Sequence, residues 1–80
     1  MGQFTLMKIH IEFCIKWNYE PEFDRVSKEI YNINSSIEIK GNESSPRTGS
    51  FEVSINNILV YSKFKTGVFP TVEEIRSWFK

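Results

Sequence analysis

The chain holds a single cysteine, and the residues around it decide what chemistry that thiol could do. Cys14 opens the tetrapeptide Cys14-Ile15-Lys16-Trp17 and follows the run Lys8-Ile9-His10-Ile11-Glu12-Phe13. Downstream, Phe23, Val26 and Ile30 recur at i, i+3 and i+7, and Pro21 stands early enough for a first helical turn, where its missing N–H costs nothing. The spacing therefore puts the thiol just before a helix N-terminus. Free N–H groups and partial positive charge there stabilise a thiolate and lower a cysteine pKa below its usual ~8.5. Lys16 adds a nearby positive charge. The competing reading is an inert packing residue, because unpaired cysteines are among the most buried side chains.

Other chemistry-bearing residues form no second site. His10 falls on the polar face of its run, roughly 13 Å from Cys14 at ~3.3 Å per residue, too far to act as its base, and it reads as a solvated side chain. With one histidine and one cysteine there is no metal-ligand spacing. Gly41, Gly49 and Gly67 are scattered and make no phosphate-binding fingerprint. Glu22, Asp24 and Glu29 read as the wet face of the helix. No bound cofactor is expected.

The elements that must position Cys14 follow from periodicity. Ile9, Ile11 and Phe13 share one face of a strand, with Lys8, His10 and Glu12 on the other. After the helix, Tyr31, Asn32, Asn34 and Ser35 favour chain reversal, and residues 36–40 alternate again as a second strand. An intervening helix makes the two strands most simply parallel, with a right-handed crossover. Residues 41–49, rich in Gly, Asn, Ser and Pro, read as an exposed loop. Residues 51–55 and 58–62 flank Asn56-Asn57, a pair that tolerates the left-handed conformations of a two-residue hairpin turn. Phe51, Val53 and Ile55 share a face opposite Glu52 and Ser54, whereas the buried face of the fourth strand does not declare itself. Thr71 with Glu74 three residues on is a capping-box pattern, followed by the stripe Val72, Ile75, Phe79.

The result is an α/β chain of α+β two-layer type: βαβββα, a four-stranded mixed sheet with two helices mainly on one face. Its expected core is Ile11, Phe13, Val26, Ile30, Phe51, Val53, Ile75 and Phe79. Eighty residues make one domain, 1–80. Hydrophobic residues at 40% and charged residues at 25% suit a globular chain. Ten acidic and ten basic residues cancel. With no Lys/Arg run, a nucleic-acid partner is disfavoured. A lone cysteine cannot make an intramolecular disulfide, so a reducing, cytoplasmic setting fits. No apolar run approaches the ~20 residues that span a bilayer. Met1-Gly2 lacks the Ser/Thr of a myristoylation start, Leu6 standing in its place. The Asn-x-Ser matches at Asn34 and Asn42 carry no weight without an export signal. Monomer, or at most a weak dimer, is expected.

Four blocks in order bring a family likeness: Ile9 to Cys14; Thr48-Gly49-Ser50-Phe51-Glu52-Val53; Leu59-Val60-Tyr61-Ser62-Lys63; and Gly67-Val68-Phe69-Pro70. Over nearly its whole length the chain resembles the selenoprotein W-like (SelT/SelW/SelH, Rdx) proteins, a minimal thioredoxin-like family. The resemblance implies a thiol or selenol redox role, with Cys14 matching the first residue of the family's Cys-x-x-Cys or Cys-x-x-Sec motif. Trp17 occupies the position of the second Cys or Sec. Dithiol chemistry needs that resolving thiol. Monothiol exchange with glutathione or protein thiols is what remains, with Cys14 and Trp17 at the site and Ile15, Lys16, Thr48, Gly49, Ser50 and Phe51 beside it.

Trp17 itself has three readings. It is a substitution that covers the thiol or meets a partner; or a packing residue of the helix; or the product of a UGA codon, which this family uses for selenocysteine and some genetic codes translate as tryptophan. Two functions stay open: a monothiol redox protein, and a redox-inactive thioredoxin-like binding module that has lost the second Cys or Sec.

Overall fold

The strand that leads to Cys14 is the one around which the sheet is built. In the computed structural model, which describes residues 7–80, β1 (Lys8–Phe13) lies inside a sheet of order β2-β1-β3-β4. β2 (Glu38–Gly41) pairs with it in parallel, β3 (Phe51–Ile55) antiparallel, and β4 (Ile58–Ser62) antiparallel to β3. Met1, Gly2 and Leu6 lie outside the described residues.

Three helices complete the chain: α1 (Glu20–Ile33), α2 (Lys63–Thr66) and α3 (Val72–Ser77). Ile9, Ile11 and Phe13 of β1 turn to one face and join Val26 and Ile30 of α1, Ile75 of α3, and Phe51 and Val53 of β3 in a single core. α3 also packs on α1, with Arg76 of α3 reaching Glu29 of α1 at 3.4 Å. Among the described residues no helix is long and apolar enough to cross a membrane.

The expected order, a mixed four-stranded sheet with two helices mainly on one face, is the observed one for α1 and α3, and five details differ. First, α1 continues to Ile33, so the reversal begins at its C-cap, Asn34, and β2 starts only at Glu38. Secondly, α2 is an unanticipated third helix of one turn; the Ser62 hydroxyl caps it by accepting from the Lys65 N–H at 3.3 Å. Thirdly, Phe79 is only partly buried, while Ile9, Ile37 and Tyr61 join the core.

The fourth difference explains why β4 did not alternate. Val53 pairs with Tyr61 but Ser54 pairs with Leu59, leaving Val60 as an extra residue in a bulge. Tyr61 thus turns to the core, while Ile58 and Leu59 stand exposed. The Asn56-Asn57 turn has the left-handed backbone expected of it, with φ of 49° and 69°.

Lastly, the face away from α1 and α3 is not uniformly open. Glu52, on that face, is buried, and His10 is only half-buried, its Nε2 enclosed with no hydrogen-bond partner among the described residues. A solvated His10 is therefore corrected. Residues 42–48 fold back over this face, where Arg47 bonds Glu12.

Candidate functional site

Cys14 follows the last residue of β1, where the ladder to β2 has already ended. Asn42 takes over from β2 there: its side-chain amide accepts from the Phe13 N–H at 2.9 Å and donates to the Phe13 carbonyl at 2.9 Å, as a strand neighbour would. On the other side, the Cys14 N–H donates to the Ser50 carbonyl at 2.9 Å. The cysteine backbone is thus held between the 42–50 loop and the end of β1.

Residues 15–18 then form a turn, closed by the Asn18 N–H on the Ile15 carbonyl and the Tyr19 N–H on the Cys14 carbonyl. Asn18 takes a φ of 55° in it, a conformation asparagine tolerates. This turn separates Cys14 from α1, whose first residue is Glu20. The expected stabilisation by a helix N-terminus just after Cys14 is corrected accordingly: the N–H groups that act on the sulfur belong to the turn and the loop.

The Trp17 N–H lies 3.3 Å from Cys14 Sγ. Cys14 itself is buried, 1% exposed. Burial pushes the thiol up, while hydrogen bonds from the backbone N–H groups of Gly49, Trp17 and Lys16, with the Lys16 charge, act the other way and leave its pKa below that of an ordinary thiol. A backbone amide aimed at the sulfur, as that of Trp17 is, favours the anion.

Gly49 can offer its N–H because its backbone sits at φ +80°, the left-handed region. The Trp17 ring rests against that glycine: a Cβ placed on Gly49 would stand 2.9 Å from Trp17 Cζ3. Trp17 is 56% exposed and meets Tyr19 edge-on at 6.2 Å between centroids. Tyr19 continues edge-to-face to Phe69, and Phe69 to Phe51, which is fully buried. The site therefore has an aromatic wall rooted in the core.

Of the residues singled out from sequence, Cys14, Lys16, Trp17, Gly49 and Ser50 come together through their backbones, and Phe51 stands beneath them, opposite Phe13 in the β1–β3 register. Ile15 and Thr48 are exposed. Asn42, Tyr19, Glu12 and Arg47 were missed. Asn42 had a local signal, an Asn directly after the Gly that ends an alternating run; Arg47 had none, because its partner lies 35 residues away. Among the described residues no group of three or more His, Cys, Asp or Glu is placed to hold a metal ion.

A family model described as the Rdx family matches residues 8–79. The chain belongs to the Rdx family. Among solved structures it is similar to a selenoprotein W-related protein from Vibrio cholerae, with 23% identity and a TM-score of 0.74 over 95% of this chain and 100% of that one. A structure from Bordetella parapertussis superposes with a TM-score of 0.78 at 17% identity, covering 91% and 92% of the two chains. At these identities the likeness is one of fold, the thioredoxin-like α+β fold of this family. No curated protein matches the sequence. In this Rdx chain residue 17 is a half-exposed tryptophan whose backbone N–H contacts Cys14 Sγ.

Proposed function

We propose that this Rdx-family chain is a thiol-based redox protein that works through one cysteine, exchanging with glutathione or protein thiols in cytoplasmic redox homeostasis. The observation that carries the reading is the Trp17 N–H at 3.3 Å from Cys14 Sγ, and with the Gly49 and Lys16 amides and the Lys16 charge acting the same way the thiol is held low against its burial. The Cys14 thiolate attacks one sulfur of a disulfide such as oxidised glutathione; a bond forms between the two sulfurs, the original S–S bond breaks, and the leaving sulfur departs as a thiolate that takes a proton from water. A second external thiolate then attacks the mixed disulfide and releases Cys14. Trp17 leaves no internal resolving thiol, so the resting oxidised form is the mixed disulfide.

A second reading is favoured by one observation: Cys14 is 1% exposed while Ile15 and Trp17 are 60% and 56% exposed. A redox-inactive binding module would present this rim to a partner, tryptophan being enriched in binding hot spots. Treatment with oxidised glutathione followed by intact mass separates the two. The redox reading expects one glutathione per chain, absent in Cys14→Ser. Trp17→Cys is expected to form an internal disulfide, since Cys-x-x-Cys in such a turn brings the sulfurs within bonding reach, and to gain dithiol reductase activity absent from wild type. A wild-type Cys14 that titrates at ~8.5 or above and resists glutathione overturns the redox reading in favour of the binding module. Reading the codon for Trp17 tests its origin: UGG makes tryptophan the encoded residue, and UGA makes it selenocysteine or tryptophan according to the genetic code of the source.

A further inference from the structure

The loop that faces Cys14 is fastened to the sheet by Asn42 at its start and by Arg47 further on. The Arg47 backbone N–H donates to Glu12 Oε2 at 2.7 Å, its Nε donates to the same oxygen at 3.0 Å, and its Nη2 donates to Oε1 at 2.8 Å. The same Nη2 lies 3.9 Å from Glu52 Oε1, and the guanidinium stands 4.9 Å from the centre of the Phe64 ring. Glu12 and Glu52 are direct cross-strand partners of β1 and β3. Two carboxylates in that relation repel, and the Glu52 side chain is only 9% exposed, so the pair needs the cation that the loop brings.

From Arg47 the connection to the thiol runs through the backbone. The Arg47 carbonyl accepts from the Ser50 N–H at 3.1 Å, and the Ser50 carbonyl accepts from the Cys14 N–H at 2.9 Å. Between them lies Gly49, whose N–H acts to lower the pKa of Cys14. The Ser50 hydroxyl is buried and lies on the Glu12 side, where it helps Arg47 hold that carboxyl low. Glu12 stands two residues before Cys14 but is not among the groups that act on its thiol, so the ion pair reaches the sulfur through the loop and not by contact.

We propose that the Arg47 clamp on Glu12 and Glu52 positions the backbone of Gly49 and Ser50 against Cys14 and so sets the reactivity of that thiol. This rests on the thiolate reading above. Arg47, Glu12 and Glu52 are positioning residues; none touches the reacting sulfur. His10 and Glu43 line the same concavity beside Glu12 and Arg47, and Lys16 is the charged group on the thiol side.

The test is the pH profile of Cys14 alkylation by iodoacetamide in the full chain, which separates the midpoint, set by the thiolate, from the limiting rate, set by access. Arg47→Gln is expected to raise the midpoint by about half to one pH unit, lowering the thiolate fraction at pH 7 about three- to tenfold. Glu12→Gln should move it the same way. Arg47→Lys, which keeps the charge but not the two-pronged geometry, should recover only part of the shift. Arg76→Ala removes an ion pair to Glu29 on the helical face and should leave the midpoint in place. Near-UV circular dichroism identifies variants that stay folded, and if Arg47→Gln does not, Glu12→Gln reads the same midpoint. A folded Arg47→Gln or Glu12→Gln with the lowered midpoint of wild type overturns the clamp alone. An ordinary midpoint near ~8.5 in wild type, measured before any substitution, overturns the thiolate reading on which it rests.

Discussion

Gly49 is the residue at which geometry is least forgiving. Its φ of +80° costs an L-residue about 1–2 kcal/mol, and its missing side chain leaves the space in which the Trp17 ring lies. Gly49→Ala should lower stability by roughly that amount in urea denaturation. It should also swing the indole outward, because the half-exposed ring yields more easily than the backbone. In a Trp78→Phe background, Trp17 emission should shift to longer wavelength. Unchanged emission and stability together would mean that the ring does not rest on Gly49. Trp17 is the counterpart of this residue: its N–H serves the sulfur while its ring closes the space beside it, so Trp17→Cys exchanges a lid for a resolving thiol without removing the amide.

At the scale of elements, β1 does the positioning and β3 supports it. Phe51 opens β3 opposite Phe13, is fully buried, and carries the aromatic wall through Phe69 to Tyr19. Phe51→Ala removes that support and should cost about 3–5 kcal/mol, a large part of the ~5–15 kcal/mol available to a domain. Chemical denaturation that finds it as stable as wild type would show the β1–β3 register to be wrong. β2 is bound closely for a related reason: a Cβ on Gly41 would stand 2.7 Å from a Phe13 ring carbon. Only glycine lets that strand end beside the stacked rings of Phe13 and Phe23. The next residue, Asn42, then substitutes its side chain for the missing strand.

Over the whole molecule, acid stability and assembly follow from the face that Arg47 covers. Hydrogen bonds from Arg47 hold the Glu12 carboxyl below its usual range, against burial, which pushes it up. A group depressed in the folded state stabilises fully above its unfolded pKa, ~4.3 for Glu, and loses that contribution as pH falls through the lower folded value. Denaturant midpoints should therefore drop from pH 5 downwards in wild type, and less steeply in Glu12→Gln; parallel profiles would remove Glu12 from the acid transition. As to assembly, the sheet has two edges. β2 is four residues long and carries Lys40, whereas β4 exposes Ile58 and Leu59. Short, charged edges resist pairing and apolar ones invite it. Sedimentation should find a monomer with at most weak association; a tight dimer at micromolar concentration would contradict this.

The local periodicities were enough to place β1, α1, the hairpin and α3 in order, because alternation and the 3.6-residue repeat are properties of neighbouring residues. The Asn56-Asn57 turn and the Thr71 cap were legible for the same reason, the second confirmed by the Glu74 N–H on the Thr71 hydroxyl at 3.1 Å. Cys14 with Trp17, and the family likeness, could also be read directly. Tertiary structure decided everything that depends on residues far apart in sequence. The bulge at Val60 arises from pairing with β3 and not from any pattern within β4. Glu52 is buried, although it looked like a solvent-facing residue, because α2 and Arg47 come to lie over it. The thiol's environment belongs to this second kind as well. A helix N-terminus could be inferred next to Cys14 from spacing alone, but the Gly49 amide comes from 35 residues downstream, brought there by the β1–β3 pairing and by Arg47 on Glu12. Hydrogen-bond geometry of that kind is fixed only once the chain has closed on itself.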